Sequence, residues 1–233
     1  QHRPLNYQGS GHDMPVLRAD EGDLGRAVAQ VWSVVMASNR TPWVFRFAGQ
    51  PTWVVPDDEG RPVATILNEE RLRHMLARLA RWVRETAKGE LLPAPPPVAT
   101  VKSVLATPDP ALPVLTGIVN TPVFGRTGTL ITEPGYHPDA RLLYVPAPGF
   151  SVPDIPKRPT DSDIAAARKL ICDDLFGDFP FTGEAERAHV VALLLLGFLR
   201  GMIDGPTPLH LIEKPTPGTG ATLMVDAVAT ILT

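Results

Sequence analysis

The residue types best suited to chemistry are concentrated in Pro215-Thr-Pro-Gly-Thr-Gly-Ala-Thr222. In the pattern G-x-x-x-x-G-K-[ST], glycines let backbone N–H groups turn onto phosphate oxygens, lysine neutralises the β- and γ-phosphates, and the next hydroxyl ligates magnesium. This run keeps Gly218, Gly220 and Thr222, but Pro215 stands at the first glycine position and Ala221 at the lysine position. The candidate phosphate-contacting residues are therefore Pro217, Gly218, Thr219, Gly220, Ala221 and Thr222, with the Thr222 hydroxyl as candidate metal ligand. Losing the lysine removes a cation that would face triphosphate charge, which predicts weak or absent ATP hydrolysis. Lys214 is a candidate replacement cation reaching back toward the loop.

Such a loop must be held between a strand and a helix whose N-terminal dipole faces the anion. Pro208 to Ile212 reads as a short apolar strand and Ala221 to Leu232 as an apolar helix, so the spacing predicts both supports. The competing reading is a plain strand-to-helix turn made by Gly218 and Gly220. A second candidate is the run after Asn68, where Glu69 and Glu70 follow an N-cap and Leu72, Met75, Leu76, Leu79, Trp82 and Val83 form one apolar stripe. That pattern predicts a helix ending near Gly89. Its other side would carry Arg71, Arg78, Arg81, Arg84 and Lys88, the densest basic cluster in the chain and the candidate DNA-binding face. The alternative is a solvated face paired with Glu69, Glu70 and Glu85.

The remaining elements follow from periodicity. Asp20 to Ser38 reads as a helix, and Trp43 to Phe47, Thr52 to Val55 and Pro62 to Leu67 as a short antiparallel meander. Beyond the spacer Pro93-Ala-Pro-Pro-Pro97, Val98 to Ala106 and Leu112 to Leu115 read as short helices. Strands are expected at Ile118 to Phe124, Thr129 to Thr132 and Arg141 to Val145, then helices at Asp161 to Leu175 and Glu184 to Ile203. The expected fold class is α+β in three parts: an N-terminal domain at 1–92, a winged-helix-like module at 98–158, and the start of an α/β ATPase core at 159–233.

Composition narrows the function classes. With 233 residues, 44% of them hydrophobic, the chain can bury one large core or two to three small ones. A formal net charge of -3 gives no global drive toward nucleic acid or anionic membrane, so any DNA contact must be local. The single cysteine, Cys172, fits a reducing compartment, and a cytoplasmic location is expected. No run approaches the roughly 20 apolar residues of a membrane helix. Asp57-Asp-Glu59 before Gly60 reads as a turn, Asp173 and Asp174 as solvated carboxylates, and the scattered histidines do not make a zinc site.

The segment Pro208-Leu-His-Leu-Ile-Glu-Lys-Pro-Thr-Pro-Gly-Thr-Gly-Ala-Thr222, preceded by a long apolar helix, resembles the ATPase cores of phage and integrated-element replicative helicases or primase-helicases. Asn120-Thr-Pro-Val-Phe124, Glu133-Pro-Gly-Tyr-His-Pro138 and Leu143-Tyr-Val-Pro146 are similar to the region just upstream of such cores. The resemblance covers about residues 110–233. It implies a parent protein that forms a homo-oligomeric ring, uses ATP and Mg2+, moves along DNA and has no membrane contact. Only Gly218, Gly220 and Thr222 carry over, so this chain is expected to be the N-terminal part of such a protein, contributing DNA binding or assembly with impaired hydrolysis. The alternative expectation is a degenerate accessory or interaction protein without nucleotide turnover.

Overall fold

The computed structural model describes residues 14–213, 216 and 218–232. Lys214, Pro215 and Pro217 of the candidate loop lie outside the described residues. The chain forms two compact units, 1–118 and 119–233. The fold class is α+β, as the sequence predicts.

In the first unit, β1 (Val16–Arg18) precedes α1 (Leu24–Ser38), which starts where the Asp23 side chain accepts a hydrogen bond from the Arg26 backbone N–H. Ala27, Val31 and Val35 form the buried face of α1, the spacing that made this helix legible. Asn39 closes it. The buried Asn39 amide donates to the Val44 carbonyl at 2.7 Å, and its oxygen accepts from Trp43 and Val44 N–H groups, both at 2.9 Å. These bonds satisfy backbone groups at the sharp transition into the sheet.

The expected meander forms from β2 (Val44–Phe47), β3 (Gln50–Pro56) and β4 (Pro62–Ile66), paired antiparallel in that order. Gly49, at φ 82°, makes the first reversal. Next, α2 (Glu69–Leu79) is capped by the Asn68 side chain and buries Leu72, Met75, Leu76 and Leu79. The helix predicted to reach Gly89 ends here: Ala80 is extended at φ -144°, and β5 (Arg81–Glu85) follows. Trp82 and Val83 fit a helical stripe, but both also favour a strand, and β5 gains two neighbours that no local pattern announces. It pairs parallel with β1 and antiparallel with β6 (Leu91–Pro93).

Beyond the prolines, α3 (Val98–Leu105) buries Thr100, Val101 and Val104 and packs on α1 and α2. The division between units therefore lies at Ile118/Val119 and not at the proline spacer. Leu112 to Leu115 does not make a helix. Val114–Leu115 is β7, which pairs parallel with β2 to give a sheet ordered β4-β3-β2-β7. Pro110 and Pro113 explain the difference, because each lacks an N–H donor and resists a helix interior. One core joins α1, α2 and α3 with Val44, Leu67, Leu17 and Trp82.

The next residues hold β8 (Gly117–Val119), β9 (Val123–Phe124), β10 (Leu130–Ile131), β11 (Gly135–His137) and β12 (Leu142–Tyr144). They form a β9–β10 hairpin and a sheet ordered β11-β12-β8, with Tyr144, Val123 and Ile131 buried together. Residues 98–158 thus contain one helix, α3, and six short strands, in place of the helices-then-sheet order of a winged-helix-like module.

The second unit continues with α4 (Asp161–Lys169), where Thr160 and Asp163 make a reciprocal capping box. This helix runs directly into a π-helical segment, Leu170–Leu175. Then α5 (Glu184–Leu199) ends in a 3-10 turn at Arg200–Met202, and α6 (Ala221–Leu232) follows the glycine turn. Phe176, Val190, Leu194, Met224 and Val228 are buried together between these helices. Gly197 sets how close α5 and α6 lie: a Cβ there would fall 2.4 Å from a Leu232 methyl. Pro208 to Ile212 forms no strand. Leu209 and Leu211 are 92% and 83% exposed, and among the described residues this segment has no ladder partner. Without a neighbouring strand, an apolar alternation cannot satisfy its backbone in a sheet.

Candidate functional site

Gly218 and Gly220 both adopt left-handed backbone, at φ 86° and 81°. This is the conformation that glycine enters without the Cβ clash of other residues. Around Gly218 an added Cβ would meet nothing within 4 Å, whereas at Gly220 it would lie 3.4 Å from the Phe179 ring. Between them the Thr219 hydroxyl donates to the Thr216 carbonyl at 3.4 Å, a weak tie within the turn.

The turn delivers the chain into α6 in one step. Met224 N–H donates to the Gly220 carbonyl at 2.9 Å, which closes the first helical turn and leaves the N–H groups of Ala221, Thr222 and Leu223 at its free end. A 12-residue helix presents the positive end of its dipole at this point. Thr222 is exposed on that first turn, and Ala221 is half-buried. Three main-chain donors and the Thr222 hydroxyl therefore lie on the first turn of α6. Among the described residues no strand anchors the turn, and alanine stands at the lysine position.

These residues fit phosphate held by backbone N–H groups and the Thr222 hydroxyl. Ala221 brings no charge to this turn. Among the described residues, no cluster of three or more His, Cys, Asp or Glu gathers to hold a metal.

Phe179, beside Gly220, belongs to a row of three aromatic rings. Phe176, fully buried, meets Phe179 edge-on at 6.1 Å between centroids, and Phe179 meets Phe181 at 6.3 Å. The Arg187 guanidinium, on the first turn of α5, lies 6.0 Å from the Phe181 centroid. Sequence reasoning singled out none of these four residues. Their only signal is the spacing of three phenylalanines among Gly177, Pro180 and Gly183, which a buried loop shows equally well.

The predicted basic face is dispersed. Arg71 and Arg78 lie on α2, Arg81 and Arg84 on β5, and Lys88 in the turn after it, so the five do not share one helix face. Arg71 is engaged: its Nη1 donates to the Ile66 carbonyl at 3.1 Å. All five are exposed. The side chains of Arg78, Arg81 and Arg84 have no hydrogen-bond or ion-pair partner among the described residues. Glu69 pairs with Lys102 and Glu85 with Arg18, so the expected pairing with the basic face does not form through them.

Elsewhere, titratable groups serve structure. Hydrogen bonds from Arg18 and from the Glu85 backbone N–H hold the Asp20 carboxyl well below the usual carboxylate range, and an Arg61 backbone bond does the same for Asp57. That places Asp57-Asp-Glu59 in a turn, as the sequence reading had it. Burial pushes the Tyr144 hydroxyl up.

Comparison with protein-family models, curated proteins and solved structures gave no match.

Proposed function

We propose that this chain is part of a DNA-replication helicase ATPase of a mobile element, contributing DNA binding or oligomer assembly, with ATP hydrolysis impaired by Ala221. The observation carrying this reading is the pair of left-handed glycines, Gly218 and Gly220, that opens directly into the N-terminus of α6 with Thr222 exposed on its first turn. Backbone N–H groups and Thr222 would hold the phosphates of ATP, and Thr222 would reach its Mg2+. When bound, Mg-ATP would supply the binding energy for ring assembly in the parent protein. Exposed Arg78, Arg81 and Arg84 would contact DNA phosphates. A cytoplasmic setting belongs to this proposal. Among the described residues, no helix is long and apolar enough to cross a membrane.

A second reading, an accessory or interaction protein without nucleotide turnover, is favoured by the apolar surface of the second unit. Leu170 is 63% exposed, Leu223 64% and Leu209 92%, apolar side chains that a partner would cover. The two readings separate on one protein sample titrated with a fluorescent ATP analogue and with labelled DNA. Saturable binding of both is expected for the helicase reading. Binding of neither favours the interaction protein.

A further inference from the structure

Every residue of α4 is exposed, Ile164 by 49%. Packing of an apolar face supplies most of the stability of a short helix, and α4 gains little of it from its own unit. Along its side runs an open apolar groove of about 450 Å³, lined by Ile155, Pro156, Ile164, Ala167, Val191 and Leu195. We propose that this face is a contact between two copies of the chain, with α4 laid antiparallel against α4 of the second copy. The proposal goes beyond the phosphate-loop reading and depends on neither the glycine turn nor DNA.

Charge selects this occupant. Of the four charged side chains of α4, two are engaged within the chain: Asp163 in the capping box with Thr160, and Lys169 with Asp174 at 3.3 Å. The other two, Asp161 and Arg168, are exposed and have no partner among the described residues. From Asp161 to Ile164 is three residues and from Ile164 to Arg168 four, so the three share one stripe of the helix. Ile164 and Arg168 both line the groove. A second α4, reversed about a two-fold axis near Ile164, sets Asp161 of each copy opposite Arg168 of the other and brings the two Ile164 side chains together at the axis. The same patch then serves on both copies, each opposite-charge pair forms twice, and the contact closes at two copies. Anionic lipid and nucleic acid call for a stripe of positive charge, whereas this one has one charge of each sign. One helix and a shallow groove make a small interface, so the dimer is weak and reversible.

Analytical ultracentrifugation of the full chain over a concentration series at low salt tests this, for the wild type, Ile164→Asp, Asp161→Arg and Arg168→Asp. Thermal unfolding establishes that each variant is folded, and Asp161→Asn or Arg168→Gln stands in for a charge reversal that is not. The wild type is expected as a reversible monomer–dimer mixture and Ile164→Asp as a monomer. Each charge reversal sets like charges opposite each other at both ends of the contact and should raise the dimer Kd about ten-fold, and each neutral stand-in should raise it less. Mixing Asp161→Arg with Arg168→Asp restores an opposite charge at both ends, so the mixture should form a heterodimer where neither variant dimerises alone. A wild type that stays monomeric throughout would overturn the assignment, and uptake of a hydrophobic dye by that monomer would give the groove to a small apolar ligand instead. A dimer or larger oligomer that all these substitutions leave unchanged would overturn it as well, by placing the assembly surface elsewhere.

Discussion

Gly220→Ala is the substitution on which the geometry of the turn makes its sharpest claim. At φ 81° an alanine bears the left-handed penalty of a Cβ, about 1–2 kcal/mol. The added methyl would lie 3.4 Å from Phe179, an ordinary contact, so crowding adds little. Gly218→Ala, at φ 86° in open space, is expected to cost the same strain and nothing more. At about 4 °C per kcal/mol for a unit of this size, each alanine should lower the unfolding midpoint of the second unit by about 4–8 °C. Asparagine, which enters left-handed backbone more readily, should recover part of that loss at either position. Valine at Gly220 should exceed alanine, because a branched side chain must displace the Phe179 ring. Calorimetry reads the midpoint, and amide exchange at Met224 reads the turn directly, since that N–H donates to the Gly220 carbonyl. A midpoint within about 1 °C of wild type, with Met224 exchange unchanged, would refute the left-handed turn and the loop geometry built on it.

Other perturbations test separate parts of the account. Leu76→Ala empties a fully buried position between the helices of the first unit and should cost about 2–5 kcal/mol in urea unfolding, with the transition of the second unit unmoved. Asp163 is held below its usual range by the Thr160 backbone N–H, then by the Thr160 hydroxyl. Its contribution to α4 is therefore present above the ordinary carboxylate range and is lost as pH falls through the depressed folded value. The stability gap between wild type and Thr160→Ala should narrow on acidification below about pH 4, and a gap constant to pH 2 would contradict the capping box. The combined change Arg78→Glu, Arg81→Glu and Arg84→Glu should weaken DNA binding and flatten its salt dependence. Unchanged affinity in fluorescence anisotropy would remove these arginines from any DNA contact.

Local patterns made much of this fold legible. The period of Ala27, Val31 and Val35 gives α1, and Asn68 with Glu69 and Glu70 starts α2, because each signal is read by backbone within one turn. Elements decided by distant partners were not legible. Strand β5 pairs with β1, about 65 residues earlier in the chain, and that pairing overrides a helical stripe running through Leu79, Trp82 and Val83. The converse holds at Leu209 and Leu211, where strand-like residues have no strand to join among the described residues. At the candidate site, Gly218, Gly220 and the start of α6 were readable because glycine spacing and helix entry are local. The contact of Arg187 with Phe181 was not, since packing and not local sequence brings the guanidinium and the ring together.

The central claim is that the turn before α6 is a phosphate-binding loop lacking its lysine. Titration of Mg-ATP into Ala221→Lys and wild-type protein tests it most directly. A lysine restored there gains a charge-assisted bond of about 1.5–3 kcal/mol, so the variant should bind at least about ten-fold more tightly than the wild type. Equal affinity in the two proteins, or binding by neither, would contradict the claim.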